Sequence, residues 1–230
     1  MRAYRPKIVI TALILVTYLA FASAAAAEES RIVNLLELSN PIHQVAAGRW
    51  EFISGSLVVD DTRAARMNFP YKPPAEYDYI VKFVTTKPGG NIAFLLSKGK
   101  VPFAWSLNTR GHMARLEDID GHSIINNPCL RRYVLEPWKQ YTAEIQVRKS
   151  GVRCLINGQV VQEKYKTDYS DLSRNVKWTM PRKRLLGIGS YSGFMNIVLE
   201  AKVREITGHG RIVVKKAGRR GRRNHHREEN

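Results

Sequence analysis

The sequence predicts an all-β protein built as a two-sheet antiparallel β-sandwich. Three observations predict it. Residues 138–160, WKQYTAEIQVRKSGVRCLINGQV, read as a β-hairpin running into a second tight turn. Apolar residues recur at intervals of two along most of the chain, the period at which successive side chains of a strand point to opposite faces. The runs so marked are short and are separated by glycine, proline and asparagine, with little helical periodicity, a pattern that favours two stacked sheets.

Taken in order, residues 28–48 form a lead-in, where Asn34-Leu35-Leu36-Glu37-Leu38 fits one helical turn stopped by Asn40-Pro41. Trp50, Phe52 and the run from Gly55 to Val59 predict a bent pair of strands, and Ala65, Met67 and Phe69 alternate up to Pro70. Tyr77, Tyr79, Val81 and Phe83 alternate with Asp78, Lys82 and Val84, bounded by Pro73-Pro74 and Pro88-Gly89-Gly90. Residues 91–97 are almost wholly apolar and suit the middle of a sheet. Val101, Phe103, Trp105 and Leu107 then alternate with Ala104, Ser106 and Asn108, and a strand over 113–119 closes at Asp120-Gly121. In the hairpin, Ala143, Ile145 and Val147 alternate with Glu144, Gln146 and Arg148. Lys149-Ser150-Gly151 turns the chain, and Asn157-Gly158 makes the next tight turn. Trp138, just before it, reads as a packing anchor. Residues 165–183 are polar and irregular, with one turn of helix near Asp171-Leu172, and 185–190 and 195–205 are the last strands.

Residues 1–27 combine a basic start (Arg2, Arg5, Lys7), an apolar run from Ile8 and small residues up to Ala25-Ala26-Ala27. That is the pattern of a cleaved export signal, with an uncleaved membrane anchor as the alternative. The chain is therefore expected to be exported, to the periplasm, the cell surface or the medium, and to meet a membrane only if the leader is retained. The folded domain is expected over 49–209, and residues 210–230, almost devoid of apolar side chains, form a basic tail expected to be disordered.

The formal charge of the 230 residues is +17. Three positive charges lie in the leader, and residues 211–230 carry eight basic residues against two glutamates. The part between holds 26 basic and 18 acidic residues, a net +8. Spread along the chain, this is not the footprint of a nucleic-acid binder, and no aromatics are interleaved with the arginines of the tail. Cys129 and Cys154 are candidates for a disulfide in an exported protein; a buried free thiol is the alternative for Cys154, which sits on the apolar phase of its strand.

The order of these segments carries a resemblance. NLLEL, AAGRWEFISGSLVV, MNFPYKPPAEYDYIVKF, EDIDGHSIINNP, the hairpin at 138–160 and LLGIGSYSGFMNIVLEAKVREITG resemble the concanavalin A-like lectin/glucanase superfamily. Within it, they are similar to secreted bacterial jelly-roll domains grouped with laminin-G-like and 3-keto-disaccharide hydrolase-like domains. The resemblance spans about residues 35–208 and implies a jelly roll whose concave sheet and rim loops hold carbohydrate. A structural calcium is common in related folds, but no ligand set for one is legible here, and no metal site or cofactor is implied.

Glycoside hydrolysis needs two carboxylates flanking the scissile bond. Glu117, Asp118 and Asp120 are the one acidic cluster that offers them, with Glu117 and Ile119 on one face and Asp118 and Asp120 on the other; strand end plus Asp-Gly turn is the competing reading. No Gly-x-Ser-x-Gly and no glycine-rich phosphate loop is present, and His43, His112, His122 and His209 are scattered. Sugar binding needs an aromatic platform and a few planar hydrogen-bonding groups. Trp105 has the apolar phase of a core residue, whereas the opposite face of its strand, through Ser106, Asn108 and Arg110, offers an open polar floor. Arg115 and Glu117 line the same groove if the next strand runs antiparallel, and Trp178 and Tyr191 stand at loop rims where a ring can meet a sugar.

These readings favour a secreted lectin-like module, non-catalytic, binding carbohydrate or an anionic cell-surface polymer. The alternatives are a glycoside hydrolase of the 3-keto-disaccharide type and a structural or protein-interaction sandwich.

Overall fold

The protein is described by a computed structural model over residues 30–191 and 195–213; the leader at 1–27 and the tail from 214 lie outside these residues. The first sheet runs in the order β14 (Gln159–Tyr165), β13 (Gly151–Ile156), β12 (Gln140–Arg148), β7 (Glu76–Thr85), β16 (Asn196–Thr207), β4 (Ser56–Val59) and β3 (Trp50–Ile53). A short strand, β1 (Ile32–Asn34), also pairs with β16. The second sheet runs β11 (Arg131–Arg132), β10 (Met113–Leu116), β9 (Val101–Thr109), β8 (Asn91–Lys98), β15 (Gly187–Tyr191), β5 (Ala65–Asn68) and β2 (Val45–Ala47). Every pairing in both sheets is antiparallel. The fold is a two-sheet antiparallel β-sandwich of the jelly-roll kind.

Two-residue periodicity builds the interlayer. Tyr77, Tyr79, Val81 and Phe83 on β7 and Ala143, Ile145 and Val147 on β12 face Ile92, Phe94 and Leu96 on β8 and Phe103, Trp105 and Leu107 on β9, all fully buried. Phe94 links the layers, stacking on Trp105 at 5.5 Å and meeting Phe83 and Tyr79 edge-on at 5.8 and 6.2 Å. The two buried tyrosines of β7 also tie the sheets by hydrogen bonds: Tyr77 Oη donates to the Ser97 carbonyl at 2.8 Å and Tyr79 Oη to the Gly187 carbonyl at 3.0 Å. The tight turn Asn157-Gly158 has positive φ at both residues, +51° and +77°, the backbone of a type I′ turn, and it sets Ile156 opposite Gln159.

Several expectations change. The lead-in is not a preface to the fold: β1 pairs with β16, β2 pairs with β5, and Leu35 is fully buried in the interlayer. The turn at 35–38 ends before Asn40, as expected, and Pro41 then opens a separate short helix. The short α1 (Pro41–Gln44) is capped by Asn40, whose Oδ1 accepts from the Ile42 N–H at 3.1 Å, and proline fits the first helical position because its missing N–H is not needed there. Residues 211 and 212 are not part of an unpaired tail but form β17 (Arg211–Ile212) against β6 (Tyr71–Lys72). Trp138 is no packing anchor. Its backbone is left-handed (φ +62°), its backbone N–H donates to the Thr85 carbonyl, and the residue is 69% exposed. Cys129 and Cys154 are free thiols buried in the interlayer; burial pushes Cys129 up to about 12 and Cys154 well above the ordinary thiol range.

At the end of β16, Glu205 is buried and accepts from Tyr71 Oη, from the Gly210 N–H at 2.7 Å and from the His209 ring at 2.9 Å. Burial alone would raise its carboxyl, but these bonds, with Arg31 nearby, hold it below its ordinary value of 4.5. A depressed carboxylate adds stability that is present above 4.5 and is lost as pH falls through the folded value. Glu205→Gln is expected to cost about 2 kcal/mol at pH 7 and much less at pH 3. Denaturant titrations at the two pH values check this; an equal loss at both refutes it.

Candidate ligand-binding cleft

The outer face of the second sheet is half covered. Arg174 anchors the covering segment: its Nη2 donates to the Leu96 carbonyl at 2.6 Å, and burial lowers its guanidinium to about 10. Asn175 then caps a 3-10 turn at Val176–Trp178. Expected near Asp171-Leu172, the turn falls here because Asn175 Oδ1 accepts from the Lys177 N–H at 3.3 Å while Asn175 Nδ2 donates to Asp118 Oδ2 at 3.1 Å. Trp178, at the end of the turn, lies on the sheet against Ala93, Leu95, Ala104 and Met180 in a second, smaller core. It is fully buried, so it is not the exposed rim platform expected from the sequence. The bare Cα of Gly189 makes room for it: a Cβ there would sit 2.5 Å from the indole.

Beside this cover the same face opens into a cleft of about 540 Å³, within the roughly 300–1,000 Å³ of small-molecule sites. Asn108, Arg110, Arg115 and Tyr191 line it, together with Asn91 and Lys177. β9 and β10 are antiparallel, with Arg115 opposite Ser106, and this brings Arg115 to the cleft; Glu117, expected beside it, does not line the cleft but is buried behind Arg115. The β9–β10 register shifts between Met113 and Arg115, next to the left-handed Asn108 (φ +57°). Asparagine tolerates that conformation, and such bulges re-aim side chains at functional surfaces. Asn108 Nδ2 donates to the Gly90 carbonyl at 2.9 Å and Asn91 Nδ2 to the Leu107 carbonyl at 2.7 Å. The two Oδ1 atoms are buried with no partner among the described residues.

Beneath the cleft, Glu117 is fully buried, and Arg115 is 1% exposed. Glu117 Oε1 accepts from Ser106 Oγ at 2.6 Å and from Arg115 Nη2 at 3.0 Å, and Lys177 Nζ is 3.8 Å away. Arg115 Nη1 also donates to the carbonyl and hydroxyl of Ser123. Tyr191 stands on the wall between two cations, with Lys177 Nζ 5.2 Å and the Arg63 guanidinium 5.4 Å from its ring centre. Arg110, exposed and left-handed (φ +52°), has no hydrogen bond or ion pair with any described residue.

The acidic cluster does not converge. Glu117 and Ile119 were expected on one face, but the left-handed Asp118 (φ +49°) breaks the alternation and turns Ile119 into the interlayer core. Asp118 faces Asn175 instead, and Asp120 is an exposed turn residue whose N–H donates to the Asp171 carbonyl at 2.8 Å. Among the described residues lining the cleft there is no carboxylate, and Glu117 lies behind Arg115.

Sequence reasoning missed Asn91 and Lys177. A polar residue opening an otherwise apolar strand was the available signal for Asn91. Lys177 carried none, because its position depends on the contact between Asp118 and Asn175.

The fold and this cleft define a jelly-roll or galectin-like β-sandwich with a polar groove on one sheet. No family model matches the chain, and no curated protein matches it significantly. Solved structures of that kind are similar in fold. The Crh5 transglycosylase in complex with NAG superposes with a TM-score of 0.53 at 10% identity, over 78% of this chain and 85% of that one. A carbohydrate esterase from the Shiga toxin-encoding bacteriophage phi24B gives 0.51 at 12% identity, over 76% and 99%. The carbohydrate binding module CBM66 from Bacillus subtilis gives 0.50 at 7% identity, over 69% and 92%.

Proposed function

We propose that this chain is an exported, non-catalytic glycan-binding sandwich of the concanavalin A-like group, and that the cleft over β8, β9 and β10 is its site. One observation carries the reading: an exposed arginine with no hydrogen bond or ion pair to any described residue, a lysine and a tyrosine ring converge on one cleft of suitable size. Guanidinium and ammonium donors beside an aromatic ring suit the hydroxyls and apolar faces of a sugar. The hydrolase alternative lacks support, because it needs two carboxylates about 5–9.5 Å apart across a bond and Glu117 is engaged by Arg115. The named carbohydrate activities of fold neighbours agree with a sugar ligand.

A glycan array probed with the full chain tests this. The expected result is a signal for a defined set of glycans that Arg110→Ala lowers about tenfold, since it removes an exposed guanidinium that no described residue uses. A silent array overturns the proposal. So does release of reducing ends that is lost in Glu117→Gln, which makes the chain a hydrolase.

A further inference from the structure

The charge around the cleft is lopsided. Arg110, Arg115 and Lys177 line it, Arg63 stands behind Tyr191, and the acid beside them, Glu117, lies behind Arg115. The described part of the chain holds 27 basic and 16 acidic residues, so the three-to-one balance at the cleft exceeds the general excess. It is also built. Lys177 is delivered to the cleft by the 3-10 turn that Asp118 and Asn175 lock, and it hangs over Tyr191 and Trp178. Arg115 is buried and pairs with Oε1 of Glu117, whose Oε2 has no hydrogen-bond partner among the described residues. Arg110 has a whole guanidinium fork unspent. Arg63 Nε donates to Tyr191 Oη at 3.0 Å, which leaves the phenolic proton of Tyr191 to be given elsewhere. The free groups of the cleft are thus mainly donors and cations.

We infer that the cleft selects sugars bearing a carboxylate, with Arg110 and Lys177 holding the anion beside the Tyr191 ring. A planar carboxylate matches the fork of an arginine, and a concave, partly buried setting focuses the field of the cations on it. This inference rests on the glycan-binding reading above and narrows it to uronic-acid glycans.

Isothermal titration of the full chain with oligogalacturonides, and with the same oligosaccharides after carboxyl reduction, tests it. The acidic form is expected to bind about tenfold or more tightly, with the advantage shrinking as salt rises. Arg110→Ala, at an exposed position, and Lys177→Met, which keeps the aliphatic stem over Tyr191 and Trp178, are each expected to remove most of that preference, while Arg222→Ala with Arg223→Ala in the basic tail leaves it intact. Equal binding of acidic and reduced forms overturns the inference and leaves the glycan-binding reading standing. An acid preference that follows Arg222 and Arg223 instead of Arg110 and Lys177 also overturns it, since the tail is then the polyanion site. Binding of neither form, together with a silent array, removes both.

Discussion

Glu117→Ala is expected to lower the stability of the domain by about 3–5 kcal/mol, the usual cost of leaving one member of a buried ion pair uncompensated. The Arg115 guanidinium, 1% exposed, would keep its bonds to Ser123 and lose its counter-charge, and Ser106 Oγ would lose its acceptor. For a domain of this size that corresponds to a fall of roughly 10 °C in melting temperature. Glu117→Gln is expected to lose less, because an amide oxygen can still accept from Ser106 and Arg115. The double variant Arg115→Met with Glu117→Leu is expected to recover most of the stability, since an apolar pair of similar volume has no charges to desolvate. Calorimetric scans of the three variants check this order. A single variant as stable as the parent would show that the floor of the cleft is open to water and that the pair is not buried.

Trp178→Ala is expected to cost about 3–5 kcal/mol, as for other large aromatic truncations in a packed core. The loss removes the cover over Ala93, Leu95 and Ala104 and the ring under Lys177. The same contact is tested from the other side by Gly189→Ala, whose new methyl would lie 2.5 Å from the indole. Glycine is required there for space. That substitution is expected to cost about 2 kcal/mol in the parent by overpacking, and close to nothing once Trp178 is alanine. A double-mutant cycle by denaturant unfolding reads the coupling directly. Strict additivity would mean that the indole does not rest on Gly189.

Much of the sandwich is legible in the sequence because alternation is a local property. Tyr77, Tyr79, Val81 and Phe83 announce their common face wherever the partner strand lies, and Asn157-Gly158 carries the backbone of its turn in its own residue types. The same alternation places Ser106 and Asn108 on the face opposite Trp105, and antiparallel pairing then brings Arg115 and Glu117 beside them. Where local conformation departs from the strand, the pattern misleads. Asp118 in the left-handed region sends Ile119 inward, and Trp138 in the same region is left outside.

By itself, then, the sequence determined which side chains share a sheet face and where tight turns fall, because both are set by residues two to four apart. Only the tertiary structure decided which part of the outer face is covered and which part is a cleft. That depends on a tryptophan meeting a glycine eleven residues on and on an asparagine reaching an aspartate 57 positions earlier, contacts that no short-range pattern encodes.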